Sequence, residues 1–468
     1  MVYLNKDVII LILEELQNDK NFLLSCLLVN KTWCETTIPI LWKNPWKDLT
    51  RKNEKLQSNV IISHFSNETR EKLKNYNIIL SEDMQQKLSF NYIGYCRYLE
   101  LYRLERIICS FKKIQRFQVP IIKSEILKLF INRNTRFTHL YIHLQFNYQI
   151  HYIPGAEICF SGLKFLRCHP HDLLDGLSKI SKKIEELEFY VTDNDNYEII
   201  KLIEVQKNLN DVRFIYNDNV EDESFCKTLE ESLIKHADTV QYLKIDRDPK
   251  SLSYLVNLIS LEINSNHQNL SYLENVSLPY LKILKTQRVS SKILSSLIEN
   301  TKGNLMEINI DYDSDGKRLI QAIYQSCPNL KYLKLSLKNN NNISELDNLL
   351  INCQHLNGLV ISTCNSKEFD WDNLFKSLTR SSPISLFKFK LFSVWCLYSL
   401  KSLKIFFENW KGRHPMLLHT SISEEERQYF DLIEKYETEG IIKRRHNYLD
   451  KATFEDFEWI HPTQKADI

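Results

Sequence analysis

One spacing recurs through most of this 468-residue chain: an apolar residue, two others, an apolar residue, one other, and an apolar residue. "CPNLKYLKLSL" sets it at Leu330, Leu333 and Leu335. "CQHLNGLVIS" sets it at Leu356, Leu359 and Ile361, and "GNLMEINI" at Leu305, Ile308 and Ile310. The last two positions are two apart, so in an extended segment both side chains point to one side. A stretch of helical spacing follows, as in "KRLIQAIYQSC" from Lys317 to Cys327. The middle residues of successive copies fall at 99, 117, 140, 166, 187, 212, 243, 261, 284, 308, 333, 359, 387 and 403, about 23 residues per step. A unit of that size cannot bury its apolar side alone, so the units must stack. The spacing predicts an α/β solenoid over residues 96–410 with about fourteen repeats.

The phrase and its period resemble leucine-rich repeats. Only some copies carry a polar residue soon after the strand (Asn264, Asp311, Asn365), while Cys327 and Cys353 come before the phrase. The resemblance is therefore to the irregular, ribonuclease-inhibitor-like class, and it implies an open concave strand face. The residues flanking the middle positions point there: Arg213, Tyr242, Lys244, Glu262, Lys285, Asn309, Tyr332, Lys334 and Lys388, with Glu186 and Glu188 on an earlier copy. Mixed charges with a lysine bias and scattered tyrosines suit a target protein better than a nucleic-acid backbone.

Composition narrows the rest. The 61 basic and 59 acidic residues leave a formal charge of +2, which draws the chain to neither nucleic acid nor an anionic membrane. "VIILIL" at 8–13 is far short of the ~20 residues of a spanning helix, and no signal peptide is read, so a cytoplasmic or nuclear location is expected. The eleven cysteines are scattered without a C-x-x-C, and we expect them reduced and mostly buried. Nine glycines leave no phosphate-binding or nucleophile-elbow motif, so no catalytic residue and no cofactor are expected. "RCHPHD" at 167–172 is cramped and broken by Pro170, and reads as a polar turn with no metal.

The first 48 residues have a different grammar. Leu4, Val8, Ile9, Ile12, Leu13 and Leu16 recur at helical spacing, with Ile10 and Leu11 on the other side. Leu23, Leu24, Leu27 and Leu28 form a second helical face, capped by Asp19. Asn30 caps a third helix carrying Trp33, which Pro39 should limit. Three small helices make a poor core by themselves, so surplus apolar surface must be covered by something else.

These residues resemble an F-box. The resemblance is carried by Leu4, Asp7, Val8, Ile9, Ile12, Leu13, Leu16, Leu24, Leu27, Val29, Trp33, Leu41 and Trp42. The chain departs from the pattern at Asn5, where proline is usual, and at Asp7, more often glutamate. An F-box at residues 1–48 ahead of leucine-rich repeats is similar to a large expanded group of fungal F-box proteins. The resemblance implies a substrate-receptor subunit of an SCF-type cullin–RING ubiquitin ligase. Leu4, Val8, Ile9, Ile12, Leu13, Leu16, Leu24, Leu27, Val29, Trp33 and Trp42 would then bind a Skp-type adaptor, and through it a cullin. The alternative is a non-ligase interaction scaffold. Residues 49–95 are expected to be a helical connector. Residues 411–468 are expected to form a charged cap or tail containing a helix that ends near Gly440.

Overall fold

A computed structural model of the chain describes residues 4–47, 49–80, 87–109, 111, 114–192, 197–216, 222–247, 250–264, 270–311, 316–337, 340–363, 369–393, 399–420 and 427–447. Asn365, Cys364 and Cys396 lie outside them. The chain divides into two compact units, Met1–His236 and Ala237–Ile468.

Each unit contains a run of parallel strands in chain order. The first holds β1 (Tyr98–Glu100), β2 (His139–Ile142), β3 (Phe165–Cys168), β4 (Glu186–Val191) and β5 (Asp211–Tyr216). The second holds β6 (Tyr242–Ile245), β7 (Ser260–Asn264), β8 (Ile283–Gln287), β9 (Glu307–Ile310), β10 (Tyr332–Ser336), β11 (Gly358–Thr363), β12 (Lys388–Ser393), β13 (Met416–Thr420) and β14 (Ile442–Asn447). The recurring middle residue sets the register. Leu99, Leu140, Leu166, Leu187 and Val212 face one another along the first run. Leu243, Leu261, Leu284, Ile308, Leu333, Leu359, Phe389 and Leu418 do so along the second. All are buried. A one-residue slip would turn every one of them to the open face, so burial alone locks the pairing. Cys159, Cys327 and Cys353, ahead of their strands, are buried and free; Cys109 is exposed.

Three copies of the phrase turn out otherwise. Phe117 is exposed and sits in a 3-10 turn, Arg116–Gln118, that runs into the helix Val119–Phe130. Pro120 in the first helical turn, followed by Ile122, Ile126, Leu127 and Phe130 at helical spacing, overrides the strand pattern there. Leu403 lies within the helix Leu400–Asn409, whose start Ser399 caps. At the copy read around Phe387 the frame is two residues late: Phe389, not Phe387, pairs with Leu359, and Ile384 is exposed. Leu386, Phe389 and Leu391 satisfy the same spacing and are all buried. β13 and β14 extend the parallel run beyond Trp410, where the repeats were expected to stop. The helix expected in that stretch is Arg427–Thr438, and it stops two residues before Gly440, whose φ of +74° favours glycine.

At the N-terminus stand α1 (Lys6–Glu15), α2 (Lys20–Cys26) and α3 (Lys31–Leu41). Side-chain oxygens cap all three. Asn5 accepts from the Asp7 N–H at 3.3 Å, Asp19 from Phe22 at 2.9 Å, and Asn30 from Trp33 at 3.0 Å. Asn5 thus starts α1 by a hydrogen bond. Pro39 does not end α3; the helix runs two residues past it, and the Trp42 N–H donates to the Ile38 carbonyl at 2.9 Å. Two further helices follow, α4 (Arg51–Ile62) and α5 (Asn67–Asn75), then one turn, α6 (Tyr92–Tyr95).

Candidate protein-binding surfaces

The three N-terminal helices share a small core: Ile9, Leu13, Leu23 and Cys26 are buried, with Phe22, Trp33, Ile40 and Leu41 packed around them. The other apolar side chains have no such cover. Leu4, Val8, Leu11 and Leu16 are exposed along α1 and its ends. Leu24, Leu28 and Val29 are exposed on α2 and just beyond it, with Leu28 at 88% exposure. Seven large apolar side chains left in water within 26 residues mark an unfinished surface, since single exposed leucines are ordinary but a cluster is not.

The expected adaptor-facing residues therefore separate. Leu4, Val8, Leu16, Leu24 and Val29 lie on this surface, and Ile12 and Leu27 are half-buried at its base. Ile9 and Leu13 are core residues that hold the helices together and cannot touch a partner. Trp33 packs against that core. Trp42 turns toward the chain itself, its ring 4.7 Å from that of Tyr92 in α6. Leu11 and Leu28 were not among the expected contact residues. Their sign in the sequence is leucine on the side of each helix opposite the buried stripe.

What joins these helices to the first repeats is specific. The Trp46 indole N–H donates to the Tyr98 carbonyl at 2.8 Å, and its ring lies 5.9 Å from Phe130. Trp46 is 2% exposed. The Arg97 N–H donates to the Lys43 carbonyl at 2.9 Å, at the entry to β1. Glu54 on α4 receives Arg106 at 2.5 Å and Arg103 at 3.7 Å.

On the open face of the strands, the lysine bias is largely neutralised. Arg213 pairs with Asp211 at 2.5 Å, Lys244 with Glu262 at 2.5 Å, Lys285 with Glu307 at 3.6 Å, and Lys334 with Asp311. Tyr332 and Lys334 are each only 9% exposed, so they contribute less surface than their strand positions imply. Tyr242 and Asn309 are half-exposed. Lys388 lies over two rings, 5.3 Å from Phe387 and 5.7 Å from Tyr332, and burial lowers its pKa. The nine expected target-facing residues thus share one face within their own runs, and five of them, Arg213, Lys244, Glu262, Lys285 and Lys334, stand there in charge pairs.

A second feature of this face was not read from the sequence. Tyr98, His139, Phe165, Glu186 and Asp211 form one cross-strand row of β1–β5. Tyr98 stacks on His139 at 3.8 Å between centroids, and His139 on Phe165 at 5.4 Å. Tyr141 in the next row lies 5.1 Å from Phe165. Arg167 covers Tyr141 at 5.3 Å and is held by Glu188 through contacts of 2.9 and 3.0 Å. "RCHPHD" is a turn: Cys168 is buried, His169 stacks on Tyr190 at 4.3 Å, and His171 bonds the Phe146 carbonyl. Among the described residues no group of three or more His, Cys, Asp or Glu is placed to hold a metal ion, and no helix is long and apolar enough to cross a membrane.

No family model and no curated protein matches the chain. Solved structures similar to it include a Bacteroides fragilis protein (15% identity, TM-score 0.34, over 44% of this chain and 65% of that one). The leucine-rich repeat-containing protein LegL7 of Legionella pneumophila is another, at 15% identity and TM-score 0.36, over 63% of this chain and 95% of that one. A third is a chain of the yeast Rad7–Elc1 complex, at 14% identity and TM-score 0.43, over 97% of each. This chain thus spans just under two thirds of the length of the first and nearly all of the other two.

Proposed function

We propose that the chain is a non-catalytic substrate receptor of an SCF-type ubiquitin ligase, working inside the cell, in the cytoplasm or nucleus. The exposed apolar side of α1 and α2 docks on a Skp-type adaptor that carries a cullin, and the strand face holds a target protein. The observation that carries this reading is the mismatch within α1–α3: four buried core residues support seven exposed large apolar ones. Burying that surplus against a partner is the largest favourable term it offers, at about 25 cal/mol per Å². The receptor does no chemistry. It raises the effective concentration of a target lysine near a ubiquitin-loaded enzyme.

The alternative, a scaffold whose first helices only pack on its own repeats, is favoured by one observation, the turn of Trp42 onto Tyr92. That contact involves the end of α3 and leaves Leu11, Leu24 and Leu28 uncovered. Co-expression with a Skp-type adaptor separates the two readings. A stable complex is expected for the receptor, and absence of any complex would favour the scaffold.

A further inference from the structure

The row Tyr98–His139–Phe165–Glu186–Asp211 has a chemical polarity. Its first three members are stacked rings, and its fourth is a carboxylate. The other charges of β3–β5 on this face are matched within the chain. Arg167 is held by Glu188, which also accepts from the Tyr190 hydroxyl at 2.9 Å, and Arg213 is held by Asp211. Lys164 is held by Glu185 at 3.2 Å. The half-buried Glu186 carboxylate makes no hydrogen bond and no ion pair among the described residues. Burial raises its pKa, and the neighbouring Asp211 adds to this while Arg213 and Lys164 oppose it. The shelf itself carries no charge near neutral pH, because burial, with Lys43 and Lys164 nearby, holds His139 down at about 4. Tyr141 stays protonated, pushed up to about 12.

A row of stacked rings that turns its edges outward and ends in a carboxylate with no ion pair among the described residues fits one kind of side chain well. The apolar stem of a lysine or arginine lies along ring edges, and its charged head reaches a carboxylate. An acidic or phosphorylated segment would meet Glu186 and gain no free cation on β3–β5 in return. We infer that the β1–β5 face binds an extended, basic segment of a protein partner, with the stem of a lysine or arginine side chain along the ring edges of His139 and Phe165 and its cation at Glu186. The inference rests on the reading of the repeats as the target-binding face, but not on the adaptor.

The test is fluorescence anisotropy on the full chain with three acetylated, amidated decapeptides, alternating serine with lysine, arginine or glutamate. The lysine and arginine peptides are expected to bind and the glutamate peptide is not. Glu186→Gln, nearly the same shape, is expected to weaken binding about tenfold. Glu185→Gln removes the same formal charge one residue away and is expected to leave binding unchanged. Equal loss in both variants, no loss in Glu186→Gln, equal binding of the glutamate peptide, or no binding by the wild-type chain would each overturn the inference. Adaptor co-purification of the same preparations reads α1 and α2 separately. Intact adaptor binding without peptide binding refutes only this site, and the reverse refutes only the ligase reading.

Discussion

At the scale of single residues, His139 is a clear case of position setting chemistry. Its ring is sandwiched between Tyr98 and Phe165, and burial is the main reason its proton is held so weakly. An unfolded histidine takes up its proton near pH 6.5, and this one near 4. Between those values the unfolded chain binds the extra proton, so stability falls as the pH drops through that window and levels off below it. Allowing for the partial exposure of the ring, the loss amounts to about 2 kcal/mol. His139→Phe keeps the stack and removes the titration. Urea denaturation at pH 7 and pH 4.5 is expected to show a smaller drop in midpoint for this variant than for the wild type. Equal drops would mean that the imidazole is not buried as described. Trp46 carries a different load at this scale. Trp46→Ala removes a buried ring and its hydrogen bond to Tyr98, and should cost about 3–5 kcal/mol. A change below 1 kcal/mol in denaturant titration would contradict the packing of this junction.

At the scale of elements, the strands were readable where two conditions coincided, the apolar spacing and the absence of a competing signal. Leu333 and Leu359 are flanked by turn residues and lie in strands as expected. Phe117 and Leu403 obeyed the same spacing but stood next to stronger helix starts, Pro120 and Ser399. The copy near Phe387 allowed two frames, and only burial chose between them. β13 escaped notice because "PMLLHT" lacks the preceding apolar residue three positions before its middle one. If β13 belongs to the packed run, Leu418→Ala, at 1% exposure, should lower stability by about 2–4 kcal/mol. Were residues beyond 410 only a tail, the unfolding midpoint would not move. The candidate site was half legible on the same grounds. The helical stripe pointed out α1 and α2, but it marked buried Ile9 and Leu13 as contacts and passed over exposed Leu11 and Leu28. A stripe shows which residues are apolar together, and a three-helix packing decides which of them face inward. The aromatic row of β1–β3 was invisible for a related reason. Tyr98, His139 and Phe165 are far apart in the chain, and only the register brings them side by side.

At the scale of the molecule, the proposed function divides labour along the sequence. Within each unit the repeats bury one row of apolar residues, and under the proposed function the alternate strand residues serve recognition. The first three helices share a small core and leave Leu4, Leu11, Leu16, Leu24 and Leu28 exposed, which under the proposed function meet an adaptor. The chain's near-neutral charge hides local differences, as the paired lysines of β6–β10 and Glu186 of β4, without an ion pair among the described residues, illustrate. The most direct measurement is the affinity of the full chain for a Skp-type adaptor, by calorimetry, in wild type and in Leu11→Asp/Leu28→Asp. Both substituted residues are exposed, so the fold and its melting curve should be retained. The account expects the wild type to bind and the double variant to lose at least about a hundredfold in affinity. Equal affinity in a folded double variant, or no binding by the wild type, would contradict it.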